Sequence, residues 1–325
     1  MSASQLVSVV MPVYNDEKFV AEAIESILNQ TFDSFEFIII NDYSTDHTPE
    51  ILASFHDPRI RIYENTSNLG LTKSLNIGLA LSKGKYIARM DSDDISHPDR
   101  FAHQVDFLED NPKIGVLGTD YEMITPDGTH TGRIIGHRSD WELVHWLLNF
   151  DNPISHPTVL LRTILVKQIK GYNEEFQYSQ DYDLWGRLSK ITYLANLRET
   201  LLYHRSGHVN QISAMYPQSQ KEGSLKIRQR IISQLTGQLY PLEIIELLTY
   251  PYLNVDSKIK FETCKAIIKI FFSYLGMIKC LKKDKVLSIR KDCSKRIRTI
   301  TNSMPDSSHK TLILLLNKIF IIALR

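Results

Sequence analysis

The sequence predicts an α/β protein: an open, mainly parallel sheet with helices on its faces, followed by a helical extension. Three observations carry that reading. Short β-branched runs alternate with segments of helical period through the first third of the chain. The run at residues 85–89 empties into Asp91-Ser92-Asp93-Asp94, and open α/β sheets place ligands on such loops at the carboxyl ends of strands. Beyond Pro217 the apolar pattern becomes almost wholly helical and strongly basic.

Each element has its own warrant. Residues 6–11 form a β-branched apolar run that fits a fully buried strand. Residues 17–29 place Phe19, Ala23, Ile24, Ile27 and Leu28 on one helical face, and residues 35–40 read as a second buried strand. Thr48-Pro49-Glu50 supplies an N-cap, a first-turn proline and an acidic first turn. Residues 59–63 are a third strand, 71–81 a third helix, and 85–89 the strand feeding the carboxylates. Pro98 and Asp99 open the next helix, along which Phe101, Val105 and Leu108 recur at helical spacing. From about residue 114 the pattern loosens into shorter strands and loops, with residues 181–189 helical again. Helices at 218–235, 241–248, 257–281, 285–300 and 311–324 fill the remainder. The expected division is an α/β domain over residues 1–216, with halves meeting near residue 112, and a basic helical extension over 217–325.

The formal net charge of +1 hides an asymmetry. Residues 1–220 hold 18 Lys+Arg against 29 Asp+Glu, whereas residues 221–325 hold 20 against 8. A basic tail on an acidic body points to an anionic partner, a membrane surface or nucleic acid, against the plainer reading of a solvated helical face. All three cysteines (Cys264, Cys280, Cys293) lie in the tail without Cys-x-x-Cys spacing, which argues for a reducing compartment and against a zinc site. The amino-terminal apolar run is too short for a signal peptide, and no window reaches ~20 uninterrupted apolar residues. The expectation is a cytoplasmic protein, peripheral at a membrane at most.

The carboxylates at 91, 93 and 94 are hard oxygen donors suited to Mg²⁺ or Mn²⁺, which partner diphosphates. Helix capping ahead of Pro98 explains Asp94 well and all three poorly. Two other phosphate sites fail on spacing. No Gly-x-Gly-x-x-Gly follows the first strand, and Gly78 to Gly84-Lys85 has one residue too many for a P-loop, with Tyr86 where the metal-binding hydroxyl belongs.

Four motifs in order make a resemblance specific: Val7-Ser8-Val9-Val10-Met11-Pro12-Val13-Tyr14-Asn15, Asn41-Asp42-Tyr43-Ser44-Thr45-Asp46, Asp91-Ser92-Asp93-Asp94 and Gln180-Asp181-Tyr182-Asp183-Leu184-Trp185. Together they resemble the inverting family-2 glycosyltransferases of the GT-A fold, over roughly residues 6–215. The resemblance implies a nucleotide-sugar half, about 1–112, and an acceptor half, about 113–216. It makes Pro12, which is expected to close the first strand, and Tyr14 a wall of the base pocket, although Tyr14 also fits a half-buried loop aromatic. It gives Asp42 the uracil imide N–H, with Asn41 standing where relatives carry an acid. Lys73, in the first turn of a helix opened by Gly70, is either a point charge near the diphosphate or a surface lysine. Metal coordination falls mainly to Asp93, with Asp94 beside it, while Asp91 and Asp93 also contact the nucleotide.

Asp181 is implied as general base, taking the acceptor hydroxyl's proton as oxygen attacks the anomeric carbon opposite the leaving UDP. Gln180 replaces the usual Glu before it. Asp183 reads as structural and Trp185 as core. His156 beside Pro157 reads as a structural histidine. His208, in Tyr203-His204-Arg205-Ser206-Gly207-His208, falls where relatives place a metal-side histidine.

The resulting expectation is a metal-dependent inverting glycosyltransferase, with Mn²⁺ or Mg²⁺, moving sugar from a UDP-sugar or other nucleoside-diphosphate sugar to a saccharide or lipid-linked saccharide in cell-surface polysaccharide synthesis. Its basic tail would rest on an anionic membrane surface, with no nucleic acid partner. A non-catalytic nucleotide-sugar-binding scaffold on the same fold is the rival. A nucleotidyltransferase is disfavoured because residues 12–16 lack a glycine-rich basic phosphate loop.

Overall fold

The computed structural model describes residues 6–207, 215–278, 281–302 and 304. They form two compact units: one runs to Trp141 and resumes from Pro153 to Gln220, the other comprises Glu142–Asn152 and the described residues from Lys221 onward.

The first unit is built on a nine-stranded sheet. Its opening half alternates β1 (Val7–Val13), α1 (Val20–Leu28), β2 (Phe35–Asn41), α2 (Thr48–Ser54), β3 (Ile60–Glu64), α3 (Leu71–Leu81) and β4 (Tyr86–Arg89). β1 pairs in parallel with both β2 and β4, and β2 with β3, giving the order β3-β2-β1-β4. β1 and β2 are buried along their whole length, which is why their apolar runs are continuous rather than alternating. Val9, Met11, Ile24, Phe37, Ile39 and Phe101 join one core, with Phe35 meeting Phe101 edge-on at 5.9 Å.

The chain continues through β5 (Ile95–Ser96), α4 (Arg100–Asp110), β6 (Ile114–Ile124), β7 (His130–Ile135) and α5 (Trp141–Leu147). A single turn of 3₁₀-helix (His156–Thr158) leads into β8 (Leu160–Arg162), then α6 (Thr163–Gln168), α7 (Gln180–Leu188) and β9 (Tyr193–Arg205). Here the sheet is mixed. β8 runs antiparallel to β4 and to β6, while β9 runs parallel to β6.

Three local expectations change. The ladder does not stop at Pro12: it continues with Pro12 opposite Ile40 and Val13 opposite Asn41. β4 pairs with β1 only as far as Arg89 opposite Val10, so Pro12 has no partner strand on that side and its missing N–H costs no bond. The second half does not loosen into short strands, since β6 and β9 span 11 and 13 residues. Each absorbs register shifts, which breaks the period-2 signal that would announce a long strand. Thr48 is not a cap either. The Asp46 carboxylate accepts the Thr48 N–H at 3.0 Å, and the Thr48 hydroxyl accepts the Asp16 N–H at 2.9 Å.

The second unit contains α8 (Pro217–Thr236) from Lys221, α9 (Leu242–Thr249), α10 (Ser257–Met277) and α11 (Lys283–Asn302). Its core is built on Trp146 and Phe150 from the early segment, with Ile245, Leu247, Ile267, Phe271, Cys293 and Ile297 from the later helices. The Trp146 indole N–H donates to Asp292 at 2.8 Å, and the Tyr274 hydroxyl donates to the Glu142 carbonyl at 2.5 Å. Cys264 and Cys293 are buried thiols, Cys280 lies outside the described residues, and so does the expected helix at 311–324. Among the described residues, no helix is long and apolar enough to cross a membrane.

His145, only 7% exposed in this unit, has its pKa lowered to about 4 by burial. Between pH 6.5 and about 4 the unfolded chain binds a proton that the folded one refuses, so stability falls as pH falls through that window. At pH 5 the loss amounts to about 2 kcal/mol. Urea unfolding at pH 7.5 and pH 5 is expected to show a drop that His145→Gln reduces by that share. An equal drop in the variant would contradict the assignment.

Candidate active site

Topology gathers the candidate residues on one edge. β1 to β4 are parallel, and because β8 opposes both β4 and β6, the strands β6 and β9 run in the same direction as β4. The carboxyl ends of all of them, and the residues just before β8, therefore share the edge where open sheets bind ligands.

The loops after β1 and β2 are laced together there. The Asn15 side-chain oxygen accepts the Thr45 N–H at 2.7 Å, and the Asn15 N–H donates to the Ser44 hydroxyl at 3.0 Å. Asn15 and Tyr43 both hold left-handed backbone, with φ of 49° and 65°. For a bulky residue such as tyrosine this conformation costs on the order of 1–3 kcal/mol, a strain that clusters at binding sites. Tyr14 and Tyr43 are 49% and 53% exposed, so two aromatic rings stand in solvent beside buried Asp42. Asp42 is already engaged: one carboxylate oxygen accepts the Asn65 amide at 2.7 Å and the Leu69 N–H at 2.9 Å, the other the Gly70 N–H at 2.8 Å. It thus fixes the loop that opens α3. Lys73 is exposed on α3 and, among the described residues, makes no hydrogen bond or ion pair with the carboxylates.

The carboxylates of Asp91, Asp93 and Asp94 each offer an oxygen within 4.8 Å of the others. Asp91 and Asp93 are partly exposed, whereas Asp94 is wholly buried. Asp94 accepts the Arg205 N–H at 2.9 Å and faces His204 Nδ1 at 3.0 Å. The Ser92 hydroxyl donates to Asp16 at 2.6 Å and ties this loop to the one after β1.

Three buried arginines brace the loop, and the sequence reading assigned them no part. Arg89 ion-pairs with Asp91. Arg100 donates to the Arg89 carbonyl at 2.8 Å, and burial, then the neighbouring Arg89, pulls its pKa down to about 9, still cationic at neutral pH. Arg205 donates to the Asp93 carbonyl at 2.8 Å and pairs with Glu22. Among the described residues, His204 is the histidine at the carboxylates. Burial opposes its charge, but Asp94, Asp91 and Asp93 outweigh that and raise its pKa to about 9. No local pattern marked it, because register shifts interrupt the alternation of β9. His208 lies outside the described residues.

Asp181 stands partly exposed in the first turn of α7, at the same edge. Asp183 is buried, paired with Arg187 at 2.6 Å, and Trp185 is fully buried. The link between Asp181 and the carboxylate loop is buried Tyr172. Its phenol lies 2.7 Å from His156 Nε2, and burial raises its pKa while Arg89, Asp181 and Asp91 all act on it electrostatically. His156 is itself held neutral by burial and by Arg89. The arrangement offers a hard-oxygen set of the kind a divalent cation takes, most openly through Asp91 and Asp93, and a separate, partly exposed carboxylate at Asp181.

The chain is similar to known proteins in sequence and in fold. The sequence profile described as glycosyl transferase family 2 matches residues 8–149. An uncharacterized glycosyltransferase of Haemophilus influenzae is 38% identical over 252 residues, covering 74% of this chain and 77% of the relative. The putative glycosyltransferase EpsE of Bacillus subtilis is 35% identical, over 62% of this chain and 73% of its own length. Among solved structures, Staphylococcus aureus TarS 1–349 with UDP-GlcNAc aligns at a TM-score of 0.60 and 17% identity, covering 98% of this chain and 92% of that one. The mannosyltransferase PcManGT of Pyrobaculum calidifontis, with GDP-Man and Mn²⁺, aligns at 0.53 and 14% identity, covering 98% and 88%. These two likenesses concern the fold.

The Arg89–Asp91 pair is buried on the arginine side, so removing one partner strands a charge. Arg89→Met and Asp91→Asn are each expected to cost about 3–5 kcal/mol in chemical denaturation, and the double variant less than the sum. Strict additivity would mean that the two do not interact.

Proposed function

The chain belongs to glycosyl transferase family 2, a glycosyltransferase on the GT-A fold, and we propose that it moves a hexose from a UDP-sugar to a saccharide or lipid-linked saccharide hydroxyl with inversion. The observation that carries this reading is the three-carboxylate loop sharing a sheet edge with Asp181, joined to it through Tyr172 and Arg89.

In this reading Tyr14 and Pro12 wall the base pocket, with Tyr43 as a second exposed ring at its rim. Asp42 shapes the pocket by holding the Leu69 and Gly70 amides, which leaves the α3 amino terminus and Lys73 toward the phosphates. Asp93, with Asp91 and Asp94 beside it, would hold Mn²⁺ or Mg²⁺. When bound, such an ion supplies charge neutralisation for the departing diphosphate. His204 stands beside Asp94 on the same side, and Arg205 fixes the backbone of Asp93 and Asp94. Asp181 accepts the proton of the attacking hydroxyl in one displacement, so the anomeric configuration inverts. Synthesis of a cell-surface polysaccharide is the setting that suits a family-2 enzyme with a basic tail.

Exposure in the second unit supports a surface-bound role. Lys291, Lys295 and Arg298 form an exposed stripe along α11 at helical spacing, with Leu287 39% exposed. Phe272 and Met277 of α10 are 52% and 56% exposed. Near an anionic leaflet each such cation contributes about 1 kcal/mol, and the apolar residues add burial at the interface.

Two measurements test these readings. UDP release from a panel of UDP-sugars with Mn²⁺ and no acceptor should favour one donor. Asp93→Asn should weaken metal-dependent binding, while Asp181→Asn should lower transfer by about 10²–10⁴ with nucleotide affinity kept. A wild-type protein that binds no nucleotide sugar in any nucleotide series sinks the catalytic reading. Co-sedimentation with phosphatidylserine vesicles at low salt should decline when Lys291, Lys295 and Arg298 are replaced by Gln, and indifference to anionic lipid would refute the membrane role.

A further inference from the structure

We propose that Tyr121, His137 and Ser155 form the subsite that holds the ring hydroxyls of the transferred sugar, a neutral pyranose. The proposal rests on the glycosyltransferase reading above and adds a location and a chemistry to it.

Three separate elements bring these side chains together. Tyr121 lies in the carboxyl-terminal half of β6, His137 just past β7, and Ser155 immediately before the turn that enters β8. His137 Nε2 is 2.8 Å from the Ser155 hydroxyl, and the Tyr121 phenol hydrogen-bonds to the same hydroxyl. The Tyr121 ring sits 6.4 Å from the His137 ring and 5.4 Å, edge-on, from the His204 ring. All three are only partly buried, so the network is reachable from solvent.

Its position is defined by what flanks it. On one side His204 meets Asp94 at 3.0 Å, which places the network beside the candidate diphosphate site. On the other, Ser155 is bonded in the chain to His156, whose Nε2 meets the Tyr172 phenol that Asp181 and Asp91 both act upon. The network therefore lies between the carboxylate loop and the candidate base. A sugar must lie there if its anomeric carbon is to be attacked from the base side and released on the diphosphate side. A phenol, an imidazole and a hydroxyl supply directional hydrogen bonds, and the Tyr121 ring adds an apolar edge for sugar C–H groups. Asp94 and Arg133 act on the Tyr121 phenol with opposite sign, and Asp120 accepts the His137 N–H at 2.9 Å, so the charges about the network offset one another and uncharged sugar hydroxyls suit it.

Calorimetry with Mn²⁺ would compare UDP with the UDP-sugar that wild type prefers, on wild type, Tyr121→Phe, His137→Gln and Ser155→Ala, with melting temperature as the folding control. UDP affinity should stay within about twofold. Affinity for the UDP-sugar should fall about tenfold, roughly 1.4 kcal/mol, and slow donor hydrolysis should lose its preference among epimers. Unchanged sugar-nucleotide affinity and preference in all three folded variants would overturn the subsite. Parallel loss of UDP and UDP-sugar would overturn it too, by showing a loop-wide effect. If wild type binds no nucleotide at all, the parent reading fails first and the subsite falls with it.

Discussion

The constraint on which the rest of the site depends is the crowding of three carboxylates within 4.8 Å of one another. At an effective dielectric of 20, each such pair repels by about 3 kcal/mol, so the loop cannot hold its shape unaided. The chain answers with guanidinium groups that are almost fully buried, at 3%, 0% and 2% exposure for Arg89, Arg100 and Arg205. They come from the strand before the loop, the helix after it and the last strand of the sheet. Each takes a different part: the Asp91 side chain, the Arg89 carbonyl and the Asp93 carbonyl. Negative charge is thus oriented before any ligand arrives, which is the preorganisation that electrostatic catalysis requires.

The mixed half of the sheet serves the same end. A single short antiparallel strand, β8, lets β6 and β9 run in step with β4, so side chains more than a hundred residues apart meet at one edge. Asp94 and His204 are one such pair. The residues leading into β8 then stand between the carboxylate loop and α7. The long strands and the brief reversal are what give the site two sides.

Much of this was legible beforehand, for physical reasons. The helix at 71–81 follows from its period and its opening glycine, and the buried strands from their uninterrupted β-branched runs. The grouping of Asp91, Asp93 and Asp94 followed from a strand ending in acids. What stayed hidden depends on tertiary pairing. Whether Pro12 ends a ladder depends on where β4 stops, which Pro12 itself does not encode. That His204 meets Asp94 depends on how β9 is seated in the sheet, which its own residues do not encode. Arg89 was visible in the motif, but its burial and pairing with Asp91 required the neighbouring elements. Trp146 and Phe150 fall in a stretch that reads as short strands and loops, and nothing local marks them as members of the helical core.

That last feature bears on how such a chain can be inherited and dissected. The helical unit is not a cassette that simply follows the α/β unit, because Glu142–Asn152 supplies Trp146 and Phe150 to its core. Deleting everything after Gln220 would leave Trp146 and Phe150 without the core they belong to, an aggregation hazard within the remaining chain. Swapping the tail for that of a relative would demand matching changes some seventy positions upstream. The two segments of the helical unit are therefore bound to co-evolve, and exchange by recombination would succeed only with both moved together.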